Sequence, residues 1–183
     1  MGRIKAGVVV VYLDAGKLEK TLNVVLETLV ILARKKGIRA SRGGIKSGIG
    51  FGVDTPYLLA QGLTAREMIV ERNGVFTTTA VGEKFLEHVV EIASIIEDDS
   101  LFPEFNSGKL IGAVLYALYD WSNTKTGEEM LSEAVQVASE LRGLRARSPD
   151  AFKLVAITLP RMYYEDGKYT PLRLIQEVSG IVR

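Results

Sequence analysis

The stretch NGVFTTTAVGEKFLE, from Asn73 to Glu87, decides the fold because it combines a turn, a strand and the start of a helix. Asn73-Gly74 is the dipeptide most typical of a two-residue hairpin turn. The β-branched run after it suits a strand, which needs a partner strand beside it. A helix is predicted from Ala80 to Glu97, because apolar residues recur at helical spacing: Val81, Phe85, Leu86, Val89, Ile92, Ala93 and Ile96.

The residues before the turn have two possible structures. Residues 64–67, Thr-Ala-Arg-Glu, have the form of a capping box, which predicts a helix ending at Asn73-Gly74. Apolar and β-branched residues also alternate with period two on both sides of the turn, which predicts a hairpin instead. We favour the hairpin, because the strand after the turn needs a partner. The alternating residues are Met68, Val70, Val75, Thr77 and Thr79.

Most of the remaining chain has the periodicity and the end signals of helices. The exception is Ala6 to Leu13, a β-branched run that predicts a buried strand. A turn or small hairpin is predicted from Tyr163 to Tyr169. The predicted helices run from Lys17 to Lys36, from Thr55 to Gly62, from Lys109 to Trp121, from Thr126 through Leu141, from Ser148 to about Pro160 and from Thr170 to about Val178.

The composition is that of a chain that can bury a core. Hydrophobic residues make up 47% and charged residues 25% of the 183 residues, which excludes wholesale disorder. The formal net charge is only +1, so any contact with nucleic acid must come from local clustering of cations. The content of charged and aliphatic residues would also suit a thermophile.

The sequence favours a cytoplasmic protein without membrane contact. It has no cysteine, which excludes a disulfide scaffold, a zinc–cysteine site and a thiol nucleophile. The longest apolar stretch that suits a helix, Leu110 to Tyr119, is shorter than the roughly 20 residues of a membrane span. The valine run near the N-terminus is cut short by Asp14 and lacks a cleavage pattern, so a signal peptide is not predicted.

Positive charge clusters in one part of the chain. No acidic residue occurs between Glu27 and Asp54, yet six cations fall there. Such a patch is what binding to a phosphate backbone requires, although a solvated helix end followed by a loop is an equally good interpretation. The cations are Arg34, Lys35, Lys36, Arg39, Arg42 and Lys46.

The same region contains a glycine-rich segment, Gly43 to Gly52. Its backbone amides could converge on an anion, but Lys46-Ser47 follows Ile45 where a Walker A motif needs glycine. A flexible or tightly turned loop is the simpler interpretation. The five glycines of this segment also weaken any helix there, at roughly 1 kcal/mol each relative to alanine.

Side chains suited to catalysis or metal binding are scarce, so the sequence does not favour an enzyme. His88, the only histidine, lies within a predicted helix and has no metal-binding partner at helical spacing. The acidic run Glu97-Asp98-Asp99 could bind a divalent cation, but a solvated helix end is the simpler interpretation. We predict no catalytic residue, no metal site and no cofactor.

Residues 18–97 resemble an archaeal-type winged-helix DNA-binding domain. The resemblance lies in residues 22–29 (LNVVLETL), residues 57–63 (YLLAQGL) and, most closely, residues 74–87 (GVFTTTAVGEKFLE). In such a domain Thr79 would cap the helix and Gly82 would allow close packing. The resemblance implies binding to duplex DNA, with a short recognition helix in the major groove and basic residues on phosphates.

Carried over by position, the resemblance implies a nucleic-acid interface on three elements. The presumed recognition helix departs from the usual pattern, because residues 55–63 contain no Arg or Lys to recognise bases. The implied residues are Lys35, Lys36, Arg39, Ser41, Arg42, Lys46 and Ser47 around the second helix, Thr55, Tyr57 and Gln61 on the recognition helix, and Arg72 and Asn73 at the tip of the wing.

The expected fold is mostly α with a small β component. We divide the chain into a winged-helix-like domain at 1–97, which includes the N-terminal strand, a linker at 98–108 and a helical domain at 109–183. The leading hypothesis is a DNA-binding regulator whose C-terminal helices form a homodimer or bind a protein partner. One alternative, which the all-round apolar stretch from Leu110 to Trp121 suggests, is a helical scaffold or small subunit of a nucleoprotein complex that acts mainly through protein–protein contacts. The other is an enzyme acting on a phosphorylated ligand.

Overall fold

A computed structural model describes residues 14–50, 52–121, 124–162 and 170–181. These residues are mostly helical with one two-stranded antiparallel sheet, so the predicted fold class is confirmed at that level. The predicted strand from Ala6 to Leu13 and the predicted turn from Tyr163 to Tyr169 lie outside the described residues. The elements are α1 (Ala15–Lys35), α2 (Arg42–Gly48), α3 (Thr55–Ala65), β1 (Ile69–Arg72), β2 (Val75–Thr78), α4 (Ala80–Ile96), α5 (Ser107–Leu118), α6 (Gly127–Arg147), α7 (Pro149–Thr158), a 3-10 turn (Leu159–Arg161) and α8 (Pro171–Ile181).

The hairpin prediction is confirmed, and the helical alternative for the residues before the turn is wrong. β1 pairs with β2 in a register that places Arg72 opposite Val75. Asn73 and Gly74 have φ of 52° and 79°, as a two-residue hairpin turn requires. The capping box at Thr64 does not form, because the Thr64 hydroxyl donates to the Ala60 carbonyl inside α3.

The hairpin leads directly into α4, as the stretch around Asn73 predicts. The Thr79 side chain caps α4 by accepting a hydrogen bond from the Gly82 amide at 3.1 Å. A Cβ on Gly82 would lie 2.0 Å from the Met68 carbonyl oxygen, so only glycine allows the start of α4 to pack this closely on the strand entrance. The hairpin and α4 therefore form one packed unit.

The prediction that α3 ends at Gly62 is wrong, because the helix continues to Ala65. Gly62 is instead a packing position inside the helix. A Cβ there would lie 1.6 Å from the Tyr119 hydroxyl oxygen, which approaches from the end of α5. The missing side chain therefore lets an aromatic residue of the second half of the chain lie against α3.

Gly43 to Gly48, the first part of the glycine-rich segment, lies in helix α2, whose N-cap is the Ser41 side chain, so the interpretation of these residues as a loop is wrong. The low helix propensity of glycine is offset by packing, because α2 lies directly against α5. A Cβ on Gly48 would lie 2.0 Å from the Lys109 carbonyl oxygen, and one on Gly112 would lie 2.0 Å from the Ile45 carbonyl oxygen. Gly44 and Gly108 meet at the same crossing, so two pairs of glycines spaced by four residues bring the two backbones together.

The second half of the chain is helical, as predicted. The predicted helix from Lys109 to Trp121 is α5, which starts at Ser107, ends at Leu118 and is buried over most of its length. The Thr126 and Glu129 side chains form a capping box at the start of α6, and the Ser148 side chain caps α7. Among the helices of the described residues, none combines the length and the apolar character that a membrane span requires.

A single cluster of buried residues joins the two halves of the chain. α4 packs along α6 and against α5, while α2 packs on α5. Phe102, in the segment predicted to be a linker, is also buried in this cluster. The division at 98–108 stays a prediction, and the helices on either side of it share one core.

Candidate nucleic-acid interface

The predicted cations divide into solvent-facing residues and residues held by the protein. Lys35, Lys36 and Arg39 are exposed at the end of α1 and in the segment before α2. The Arg42 guanidinium instead lies 3.0 Å from the Glu27 carboxylate. Because Glu27 reaches Arg42 across the α1–α2 connection, the stretch without acidic residues in the sequence is partly neutralised in space. An exposed pair of this kind contributes little stability, so it can exchange for another anion.

Lys46 supplies the cation that the sequence of α3 lacks. It is half-buried on α2, and its ammonium group lies 3.3 Å from the Tyr57 hydroxyl oxygen on α3. The same ammonium lies 5.0 Å from the centroid of the Tyr57 ring, within the range of a cation–π interaction. The structure therefore brings two of the predicted site residues together and places a positive charge beside α3.

The outward face of α3 carries Tyr57 and Leu58, followed by Gln61 and Thr64 at successive helical turns. Leu58 has 50% of its surface exposed, while Tyr57, Gln61 and Thr64 are half-buried. Thr55, at the first position of α3, is also half-buried. Leu58 is missing from the sequence-predicted site, because the apolar periodicity of a helix cannot tell an exposed leucine from a core leucine.

The two predicted serines differ in their availability. The Ser41 hydroxyl accepts a hydrogen bond from the Gly44 amide at 3.0 Å, so it serves first as the cap of α2. Ser47 is exposed near the end of the same helix. Both serines are exposed, and they differ in that only the Ser41 hydroxyl caps the helix.

The tip of the hairpin projects from the body of the protein. Arg72 and Asn73 are both exposed there, together with Val75 at 60% exposure. Behind the tip, the Lys17 ammonium at the start of α1 lies 3.3 Å from the Glu71 carboxylate. A mainly apolar cleft of about 690 Å³ lies between the hairpin, the end of α3 and the start of α4.

Arg66, which follows α3, is a buried cation that the sequence prediction missed. Only 4% of its surface is exposed. Its guanidinium donates to the carbonyl oxygens of Gly62, Asp120 and Lys125 and to the Tyr119 hydroxyl. Arg66 thereby fastens the C-terminal end of α3 to the segment between α5 and α6. No signal in the sequence marks this role, because an arginine after a helix is ordinarily exposed.

Burial raises the pKa of the Tyr119 hydroxyl above its usual value of 10.0, and the nearby Arg66 guanidinium only partly opposes that effect. Since the folded protein holds Tyr119 neutral, its contribution to stability is complete below pH 10 and is lost as the pH rises from there through the folded-state pKa. We therefore expect the difference in the free energy of unfolding between wild type and Tyr119→Phe to shrink above pH 10. Denaturant unfolding across pH 8 to 11 measures it, and a constant difference would contradict the pKa shift.

The remaining polar candidates have local partners. His88 Nδ1 lies 2.7 Å from the Lys84 carbonyl oxygen on the same helix. The Asp98 carboxylate accepts from the Ser100 hydroxyl and amide, which lower the pKa of Asp98, and the Glu97 carboxylate accepts from the Ser107 hydroxyl. Among the described residues, no group of three or more His, Asp or Glu side chains is placed to hold a metal ion.

Comparisons with family models, with curated proteins and with solved structures found no match. The winged-helix resemblance therefore stays a prediction, and the function has to be inferred from the geometry of this chain.

Proposed function

We propose that residues 15–96 form a winged-helix unit that binds duplex DNA, with α3 as its recognition helix. The observation that carries this proposal is the hairpin formed directly after α3 and packed onto the start of α4. The order of three helices, a hairpin and a long helix matches the arrangement in which a short helix enters the major groove and a wing contacts the neighbouring backbone.

The dimensions and charges support this docking. α3 has 11 residues, so it is roughly 16 Å long and slender enough for the major groove of B-form DNA. The cations lie on elements next to α3 rather than on it: Lys35, Lys36 and Arg39 before α2, Lys46 beside Tyr57, and Arg72 at the hairpin tip. Such cations would hold the phosphates while α3 faces the bases.

Charge removal tests the proposal. We expect duplex binding by the wild-type protein to weaken with salt, and the double variant Lys36→Ala/Arg39→Ala to bind more weakly, with a salt slope smaller by about one for each phosphate that the variant no longer neutralises. Both residues are exposed, so the fold should be unaffected. Fluorescence anisotropy with a labelled duplex over a salt series measures the slope.

The matched control is Arg147→Ala/Lys153→Ala, which removes the same charge from exposed positions on α6 and α7. We expect this control to keep the wild-type slope. Equal slopes for the two double variants would contradict the assignment of the interface. An absence of salt-dependent duplex binding by the wild-type protein would contradict the function itself.

The apolar surface of α5, which suggests the helical-scaffold alternative in the sequence, is not available to a partner protein. α2, α4 and the 3-10 turn pack against that helix within the chain. Leu154 and Ile157 remain exposed on α7, at 53% and 39%. Two exposed apolar side chains one helical turn apart are too small a patch to indicate an interface by themselves, so we propose DNA binding first.

A further inference from the structure

We propose that the outward face of α3 recognises A·T base pairs, with Leu58 on the thymine methyl group and Gln61 on adenine. This inference depends on the proposed duplex binding and adds to it the chemistry of the bases that are recognised. It follows from the side chains that α3 presents, from those that it lacks, and from the cations around it.

The outward face of α3 has no charged side chain. Its residues are Tyr57, Leu58, Gln61 and Thr64, and residues 55–65 contain no Asp, Glu, Lys or Arg. Guanine is recognised mainly by Arg or Lys, which donate to its O6 and N7 atoms, and cytosine by carboxylates that accept from its amino group. Without these side chains, α3 itself is poorly suited to a G·C base pair.

The side chains that are present suit an A·T base pair. The thymine 5-methyl is the one apolar group that unmodified bases display in the major groove, and Leu58, half of whose surface is exposed, is the large apolar side chain on this face. Gln61 lies three residues further along, on the same face one turn away. A glutamine amide can both donate to adenine N7 and accept from the adenine amino group.

The surrounding charges favour an anionic duplex as the occupant of this face. Lys46 lies at its edge, 3.3 Å from the Tyr57 hydroxyl oxygen, and Lys36 and Arg39 are exposed just before α2. Phosphates flank each base pair of a duplex and would bind these cations, whereas an uncharged protein partner would not require them. An uncharged face with the Lys46 ammonium at its edge therefore matches a major groove beside its phosphates.

The test uses three duplexes of equal length with alternating dA-dT, dA-dU or dG-dC sequence. Deoxyuridine differs from thymidine only by the absent methyl group, so the first two duplexes isolate the contact with Leu58. We expect the wild-type protein to bind dA-dT about fourfold more tightly than dA-dU for each methyl buried. We also expect it to prefer dA-dT over dG-dC by at least about fivefold.

The variants assign each preference to its side chain. Leu58→Ala should bring the ratio between dA-dT and dA-dU to about one, and Gln61→Ala should reduce the preference over dG-dC. Leu154→Ala, which changes an equally exposed leucine on α7, should leave both ratios unchanged. Circular dichroism and thermal melting check that each variant is folded.

The outcomes separate the two proposals. Salt-dependent binding of all three duplexes with equal affinity would overturn base recognition by α3 and leave the proposed DNA binding in place. Base recognition is also overturned if Leu58→Ala keeps the wild-type ratio between dA-dT and dA-dU. If no duplex binds in a salt-dependent way, both the inference and the proposed function are overturned.

Discussion

Replacing Gly112 by alanine is expected to lower the free energy of unfolding by at least about 2 kcal/mol, although alanine is the better helix former. The added Cβ would lie 2.0 Å from the Ile45 carbonyl oxygen. This neighbour is backbone, so α2 and α5 must move apart and give up the packing along their crossing. Urea unfolding, compared at equal m-value, measures the loss.

Gly43→Ala is the matched control, because Gly43 belongs to α2 but has no atom within 4 Å of the position that a Cβ would occupy. Here only helix propensity changes, and we expect a gain of up to about 1 kcal/mol. The same chemical change should thus have opposite signs at the two glycines. Stabilisation by both substitutions would show that α2 and α5 do not pack as closely as described.

Replacing Arg66 by methionine is expected to lower the free energy of unfolding by about 3 kcal/mol or more. Methionine retains much of the buried volume but donates no hydrogen bond. The buried carbonyl oxygen of Asp120 and the Tyr119 hydroxyl would each lose the guanidinium donor. Because Arg66 fastens the end of α3, we also expect weaker duplex binding under conditions where the variant remains folded.

Two further variants separate the role of Arg66 from a general effect of removing arginine. Arg142→Met removes an exposed arginine paired with Glu91, and it should cost less than about 1 kcal/mol. Arg66→Lys keeps the charge but not the planar guanidinium with its several donors, so its loss of unfolding free energy should lie between those of the two methionine variants. Equal losses for Arg66→Met and Arg142→Met would contradict the role assigned to the buried guanidinium.

Local signals in the sequence predict a turn or a helix start well where only one structure fits the residues concerned. Asn73-Gly74 forms the predicted turn, and Thr79 caps the helix that follows. Competition between signals explains the errors. The Thr64 capping box fails because Thr64 already lies in the last turn of α3, where its hydroxyl bonds back to the Ala60 carbonyl.

The candidate site is predicted less completely than the fold. Lys46 and Tyr57 are both on the predicted interface, but their contact depends on how α2 and α3 pack. Leu58 is missed because its exposure depends on which side of α3 the core covers. The pairing of Arg42 with Glu27 is missed because the two residues are 15 positions apart in the chain.

By itself, the sequence determined the hairpin and the presence of most of the helices, because caps, turns and periodicity act over a few neighbouring residues. It did not determine that residues 42–48 form α2 or that α3 continues past Gly62. Only the tertiary structure decided that helices cross or pack closely at a particular set of glycines and that Arg66 is a buried cation. These glycines are at positions 44, 48, 62, 108 and 112. A glycine in the sequence is compatible with a loop, a turn or a helix crossing, and the backbone that approaches it selects among them. An arginine likewise holds parts of a structure together only when the fold places carbonyl oxygens from distant parts of the chain within hydrogen-bonding distance of its guanidinium.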